Sequence, residues 1–237
     1  MLILILAESA LEPIPREIWS HPAIRSFSKR RGKPPKNLVL DRSYHHFAMR
    51  NLLNGEKRGR PDIVHFCLLE ALGSPLSKEG LLRTYVHTID DHVIYVEPET
   101  RLPKNFNRFI GLIEDLLEHG RVPPAGKPLL YIEEKSLPKL IDDLKPTYTV
   151  IFERSGIPKT LEETASKLAR EERPAVIVGG FPHGEFNEAT LKLADEVICV
   201  DPEALEAWTI VSRIIYEYER TIGLPKKRLE RVGRGTV

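Results

Sequence analysis

In the second half of the chain, short apolar runs and amphipathic segments take turns, and no other feature limits the fold as much. Leu129–Ile132 reads as a strand, Leu137–Leu144 as a helix and Tyr148–Phe152 as a strand. Thr160-Leu-Glu-Glu163 has the form of a capping box and opens a helix to about Arg170. Ala175–Val178 is a strand, Asn187–Ala194 a helix, Val197–Val200 a strand, and Glu203 to about Thr221 a long helix ended near Gly223. Strands separated by helices predict an α/β fold with a mostly parallel sheet flanked by helices.

The first half is less regular. Leu2–Leu6 is a compact aliphatic run that suits a buried strand, and Leu38–Leu40 reads as a second. Between Arg25 and Lys36 stand six basic residues and no acid, and Pro34-Pro35 disfavours a helix there. A polar, His-containing helix follows around Tyr44 to Leu53. Pro61 opens a helix whose apolar positions run from Ile63 to Leu72 and stop at Gly73. Tyr85–His87 and Val93–Val96 flank Ile89-Asp90-Asp91 as a hairpin. A further helix has Phe106, Phe109, Ile110, Ile113, Leu116 and Leu117 on its apolar face, with Arg108 well away from it. The expectation is one domain over residues 1–237, with a basic insertion at about 25–37 and a hairpin at about 84–97.

Hydrophobic residues make up 41% and charged residues 29%, enough for a sizeable core in a soluble protein. The net charge of +1 means that any attraction to a polyanion must be local. Cys67 and Cys199 both lie in apolar runs, as free thiols of a reducing compartment do. No run approaches the roughly 20 apolar residues that span a bilayer, and the opening MLILILAES reads as a strand, not a leader. The chain is therefore expected in the cytoplasm, with no membrane partner.

Three strand exits are unusually loop-like: Phe152-Glu-Arg-Ser-Gly156, Val178–Gly184 and Cys199-Val-Asp-Pro202. In open parallel sheets ligands bind beyond the carboxyl ends of the strands, so neighbouring strands would bring these turns to one crevice. The glycine turn lacks the lysine and hydroxyl of a triphosphate loop and lacks G-x-G-x-x-G. An uncharged group such as adenosine, held by backbone, suits it better; a tight turn with glycines at positive φ and no ligand suits it too. His183 has no metal-ligand companions in sequence, and His45-His46 point roughly 100° apart on a helix, so no metal is expected. Asp201 can touch a ribose or cap the last helix.

Arg60, Arg101, Lys104 and Arg108 form a second constellation. Arg101 and Lys104 lead into a helix N-terminus, which favours anions, and Asn105 and Asn107 stand between the cations. That arrangement suits a phosphodiester backbone; a solvated charged face is the plainer alternative.

Four segments stand in order: Gly59-Arg-Pro-Asp-Ile-Val-His65, Gly73-Ser-Pro-Leu-Ser-Lys-Glu-Gly80, Thr100-Arg-Leu-Pro-Lys-Asn-Phe-Asn-Arg-Phe109 and Gly179-Gly-Phe-Pro-His-Gly184. Together they resemble the Nep/Emg family of ribosome-biogenesis proteins, pseudouridine-N1 methyltransferases of the SPOUT class, from about Leu38 to Tyr218. The resemblance implies S-adenosylmethionine as methyl donor, small-subunit ribosomal RNA as substrate, a homodimer, a C-terminal trefoil knot and, as further partners, ribosome assembly proteins. By position it implies Phe152, Ser155, Val178, Gly179, Gly180, Gly184, Cys199, Val200 and Leu205 at the cosubstrate, and Arg60, Arg101, Lys104 and Arg108 on RNA. Gly180-Phe181-Pro182 departs from the Ala-Phe-Ala of one common form, and Lys104 stands where many relatives carry Arg, which loses the bidentate fork. Asp62 and Arg60 are the catalytic candidates: Asp62 to orient or accept the N1 proton, Arg60 to support the developing anion. Asp62 as a brace for Arg60 in the first helical turn is the structural alternative. A broad apolar face on the last helix, Ala207, Trp208, Val211, Ile214, Ile215 and Tyr218, suits a dimer or the core. Two other functions remain open: an RNA-binding assembly factor with incidental or no methyl transfer, and a nucleotide-binding enzyme unrelated to RNA.

Overall fold

Every residue of Leu2–Ser9 is buried, and this strand, β1, forms the middle of the sheet. A computed structural model describes residues 1–233. Its other strands are β2 (Leu82–Thr88), β3 (His92–Val96), β4 (Arg121–Val122), β5 (Leu130–Glu134), β6 (Tyr148–Pro158), β7 (Pro174–Gly179) and β8 (Glu196–Cys199). Among the described residues they form one sheet in the order β4-β5-β3-β2-β1-β7-β6-β8. The run β2-β1-β7-β6-β8 is parallel throughout, and β2-β3-β5-β4 is antiparallel. The fold is thus α/β with a mostly parallel sheet, as the alternation predicts. Its antiparallel edge includes β5, which pairs with the hairpin strand β3 rather than with a parallel neighbour.

The helices are α1 (Pro22–Arg31), α2 (Arg42–His45), α3 (Pro61–Gly73), α4 (Pro75–Lys78), α5 (Phe106–His119), α6 (Leu137–Leu144), α7 (Leu161–Leu168), α8 (Glu188–Leu191), α9 (Ala207–Thr221) and α10 (Leu224–Gly233). A strand buried on both faces must be apolar at every position. From Leu2 to Ala7 β1 meets that requirement, sending Leu2, Leu4 and Leu6 to a core shared with α3, α5, α7 and α9, and its last two residues, Glu8 and Ser9, are polar and buried. Ile3, Ile5 and Ala7 go to a second core under α6, with Phe186 of the glycine turn. Ile14, Ile18, Ile24, Leu38, Leu40, Met49 and Leu52 make a third, small core that holds the segment between β1 and α3 together.

Local signals place several elements correctly. Pro61 stands at the first turn of α3, and the Thr160–Glu163 capping box opens α7 with both reciprocal bonds formed. Other expectations need correction. Leu38–Leu40 is no strand; Val39 makes one isolated bridge to Pro13. β1 already has both neighbours, and Pro13 has no N–H to extend a ladder. The basic run after Arg25 is helical through Arg31, and it ends at Gly32 with φ 65°, two residues before the proline pair. The segment from Tyr44 to Leu53 is α2 followed by a 3-10 turn over Ala48–Asn51. Residues 153–156 are no strand exit either. β6 pairs with Ile198 through both Phe152 and Ile157, and the residues between form a bulge within the strand. Asp201 accepts the Glu203 N–H at 2.9 Å, whereas α9 begins only at Ala207.

Candidate active site

The bulge of β6 and the carboxyl ends of β7 and β8 line a cleft of about 340 Å³, within the range of small-molecule sites. Seven residues assigned there by resemblance line it: Phe152, Val178, Gly179, Gly184, Cys199, Val200 and Leu205. Two do not. Ser155 is exposed and lies outside the cleft lining. Gly180 is buried against β1: its N–H donates to Ala7 at 2.9 Å and its carbonyl accepts from Ala10 at 2.8 Å. A Cβ there would lie 2.9 Å from Ser9 Cα, so this glycine seats the turn on the sheet. Gly156 approaches β8 as closely, where a Cβ would meet the Ile198 backbone at 2.6 Å.

The cleft also takes Glu153, Arg154, Glu185, Asp201 and Glu203 into its wall. Four carboxylates against one guanidinium favour a ligand with positive charge. Glu153 and Arg154 escape a reading of the sequence because a bulge inside a strand leaves no local signature of which side chains turn inward.

A buried ion pair fixes the glycine turn from behind. Lys57 Nζ lies 2.8 Å from Glu8 Oε2, with side chains only 9% and 5% exposed. The same ammonium donates to the Glu185 carbonyl and sits 4.5 Å from the centroid of Phe181. Glu8 Oε1 accepts the Asn187 N–H at 2.9 Å and the Thr190 hydroxyl at 2.8 Å. Gly184, at φ 94°, leaves room for the lysine stem, since a Cβ there would fall 3.0 Å from Lys57 Cε. Neither Lys57 nor Glu8 stands out in the sequence. The one local hint is an acid at the buried end of an aliphatic strand, which must find a partner.

Arg60 and Asp62, at the start of α3, form a bidentate pair at 2.8 and 2.7 Å. That pairing, helped by Glu206 and Asp41, holds the guanidinium above its ordinary pKa. Phe66 of α3 packs on Trp208 of α9 at 5.1 Å, and Glu206 lies between the cleft residues Leu205 and Ala207, so the start of α3 with its ion pair neighbours the start of α9 beside the cleft. His65, one turn into α3, donates from Nε2 to the Pro103 carbonyl at 2.8 Å. Its ring packs on Phe109 and Phe106. Burial lowers its pKa, which keeps it neutral with the hydrogen on Nε2. His65 thereby docks the loop that carries Arg101 and Lys104 onto the helix that carries Asp62. Arg101, Lys104 and Arg108 are all exposed, and the Asn105 side chain caps α5 by accepting the Arg108 N–H at 3.1 Å.

Both cysteines are free, Cys67 buried and Cys199 half-buried. Burial pushes the Cys67 thiol far above its usual pKa. Among the described residues no cluster of three or more His, Cys, Asp or Glu side chains is placed to hold a metal ion, and no helix is long and apolar enough to cross a membrane.

A family model described as EMG1/NEP1 methyltransferase matches residues 4–219. The chain belongs to that family. Similar EMG1/NEP1 proteins include the ribosomal RNA small subunit methyltransferase Nep1 of Thermococcus onnurineus, 48% identical over 222 residues that cover 94% of this chain and 100% of that protein. The Nep1 of Pyrococcus furiosus is 50% identical over 216 residues, covering 91% of this chain and 95% of its own. Archaeoglobus fulgidus Nep1, solved in complex with S-adenosylhomocysteine, superposes with a TM-score of 0.82 at 38% identity, over 93% of this chain and 98% of that one. The EMG1/NEP1 match therefore runs across both the cleft and the basic loop.

Proposed function

We propose that this chain transfers the methyl group of S-adenosylmethionine to N1 of a pseudouridine in small-subunit ribosomal RNA, as a step of small-subunit biogenesis. One observation carries the reading. In a member of the EMG1/NEP1 methyltransferase family, the Arg60–Asp62 pair neighbours the start of α9 beside the acid-lined glycine-turn cleft, with the cationic loop docked on α3 through His65.

The cleft fits the methyl donor. Its size suits a nucleoside with an amino-acid arm, the turns offer main-chain groups to adenine and ribose, and the surplus of carboxylates suits a molecule with a sulfonium and an ammonium. Phe152, Val178, Gly179, Gly184, Cys199, Val200 and Leu205 would hold it; in this reading Gly180 sets the turn and Ser155 contacts it only if the bulge folds inward.

A sulfonium methyl is already activated, so the chain's task is alignment and charge. The N1 nitrogen forms a bond to the methyl carbon, the carbon–sulfur bond breaks, and the N1 proton is lost. Negative charge grows on the carbonyl beside N1 as that proton leaves, and Arg60 is the cation beside the cleft to stabilise it. Both Asp62 oxygens are engaged by Arg60, which supports Asp62 as the brace that aims the guanidinium. Arg101, Lys104 and Arg108 bind the RNA phosphates around the target.

Label transfer from S-adenosylmethionine to a pseudouridine-containing hairpin tests the reading. Transfer that vanishes when uridine replaces pseudouridine supports it. RNA binding without transfer leaves an assembly factor instead, and salt-independent binding leaves neither. Asp62→Asn separates the two roles of that residue: retained transfer with lowered stability means a brace, lost transfer with retained RNA affinity means a proton acceptor.

The same proposal covers the assembly. We read residues 1–237 as one domain in the cytoplasm, working as a homodimer with a C-terminal knot and meeting ribosome assembly proteins. Continuity of one sheet through both halves supports the single domain, and membership of the EMG1/NEP1 family supports the knot. The α9 face named for the dimer is mostly spent inside the subunit, since Val211, Ile214, Ile215 and Tyr218 are buried in its own core. Exposed Phe66 and Tyr216 on the neighbouring outer faces of α3 and α9 support a dimer contact better.

A further inference from the structure

Tyr44 and Phe47 are 55% and 57% exposed. The backbone from Arg42 to Asn51 is helical, first α and then 3-10, with His46 and Phe47 in the right-handed region between. Residues three apart on such a segment stack on one side. Tyr44, Phe47 and Arg50 therefore make a single outward row, while His45, Ala48 and Met49 turn into the small core. Arg50 lies over the Phe47 ring at 5.0 Å, and the His46 ring lies 3.8 Å from the same ring. At the other end Tyr44 touches Phe27 at 5.3 Å, and Arg30 covers Phe27 at the same distance.

The segment that carries this row is strongly basic, and although Arg31 and Lys33 are paired with Glu114, Asp115 and Glu118 of α5, no carboxylate pairs with Arg30 or Arg50 among the described residues. Between Glu17 and Glu56 the sequence has eight Lys and Arg and a single acid, Asp41. That acid is buried and caps the Ser43 N–H. Two exposed rings, one with Arg50 over it and the other resting on a ring that Arg30 covers, match what unpaired nucleotides need: flat faces for bases and cations for phosphates. A lipid surface would call for aliphatic side chains on the same row, and an acidic peptide would gain little from two flat rings.

The row also joins the site already described. The Arg42 N–H donates to the Gly59 carbonyl at 2.9 Å, one residue before Arg60, and Asp41 acts electrostatically on Arg60 itself. A strand that leaves the cleft past Arg60 meets α2 next.

We propose that Tyr44 and Phe47, flanked by Arg30 and Arg50, form a stacking platform for a single-stranded stretch of RNA that flanks the target base. The platform rests on the reading of the chain as an RNA methyltransferase. It extends recognition beyond the basic loop and sets how much unpaired RNA the protein covers. Stacking reads bases with little sequence preference, so the platform gives reach and orientation rather than a code.

Two RNAs test it: a bare pseudouridine hairpin, and the same hairpin with several unpaired nucleotides on one side. Wild type is expected to bind the extended RNA more tightly. Tyr44→Ala with Phe47→Ala is expected to lower that affinity about tenfold or more while leaving its salt slope in place. Arg30→Gln with Arg50→Gln is expected to flatten the slope, by about 0.7 for each phosphate no longer neutralised. Because all the affinity readouts are comparisons between the two RNAs, a general loss of folding shows as equal weakening on both; Tyr44→Phe with Phe47→Tyr, which keeps both rings, then restores the difference if the platform exists. The proposal is overturned if extended and bare hairpins bind wild type alike, or if the double alanine variant loses nothing specific to the extension. Failure of methyl transfer on the bare hairpin, by contrast, strikes the catalytic reading and leaves the binding comparison intact.

Discussion

Replacing Lys57 by methionine tests whether the cleft is held from behind by charge. Methionine keeps most of the stem that packs beside Gly184 and removes the ammonium that touches Glu8, the Glu185 carbonyl and the Phe181 ring. Removing one partner of a buried ion pair costs about 3–5 kcal/mol, because the other charge is left without compensation. Glu8 keeps two donors, the Asn187 N–H and the Thr190 hydroxyl, so the loss belongs near the lower end, about 3 kcal/mol. The same change frees the carbonyl of Glu185 in the cleft wall, so affinity for S-adenosylhomocysteine is expected to fall along with stability. Urea unfolding and titration calorimetry read the two quantities. Adding Glu8→Gln to Lys57→Met is expected to return at least about 1 kcal/mol, since glutamine carries no charge to bury. Lys57→Met within about 1 kcal/mol of wild type, with unchanged ligand affinity, refutes the reasoning.

His45 is fully buried, and burial lowers its pKa to about 4, against about 6.5 in an unfolded chain. The unfolded state binds the proton first, so stability is lost as pH falls from 6.5 towards 4, by roughly 2–3 kcal/mol at most. His45→Phe removes that slope, and parallel unfolding curves for the two proteins over the same range contradict it. Gly156→Ala drives a Cβ into the Ile198 backbone. Against main chain the overpacking is expected to cost about 3 kcal/mol and to disturb β8 at the cleft, as thermal unfolding and ligand binding report. Neutralising Arg101, Lys104 and Arg108 together is expected to reduce the salt slope of RNA binding by about 2, at roughly 0.7 per contacted phosphate. Lys104→Arg, which preserves charge, leaves the slope where it was, and a drop there argues against a phosphate contact.

Most of the architecture was legible because it is written in local patterns. The alternation from Leu129 onward, Pro61 at a helix start, the Thr160–Glu163 box and the apolar stripe of α5 each depend on residues a few positions apart. The turns at Val178–Gly184 and Cys199–Pro202, which line one cleft, were legible as turns after strands for the same reason. Where neighbours in space decide, local pattern misled. Leu38 and Leu40 have the composition of a strand, but β1, which Pro13 and Ile14 follow, already has two neighbours, and both leucines pack into the small third core. The α9 stripe suited a partner or the core, and Val211, Ile214, Ile215 and Tyr218 of it go to the core. The bulge after Phe152 depended on which residue of β8 lay opposite.

From the sequence alone came the element types, the mostly parallel sheet and the two chemical constellations, because hydrophobic period and turn chemistry act over short stretches of chain. Tertiary structure alone decided that Glu8, Lys57 and Glu185 meet behind one turn, that Gly180 seats that turn on β1, and that His65 docks the cationic loop on α3. Each of those contacts joins residues far apart in the chain, and only the order of strands in the finished sheet brings them within bonding distance.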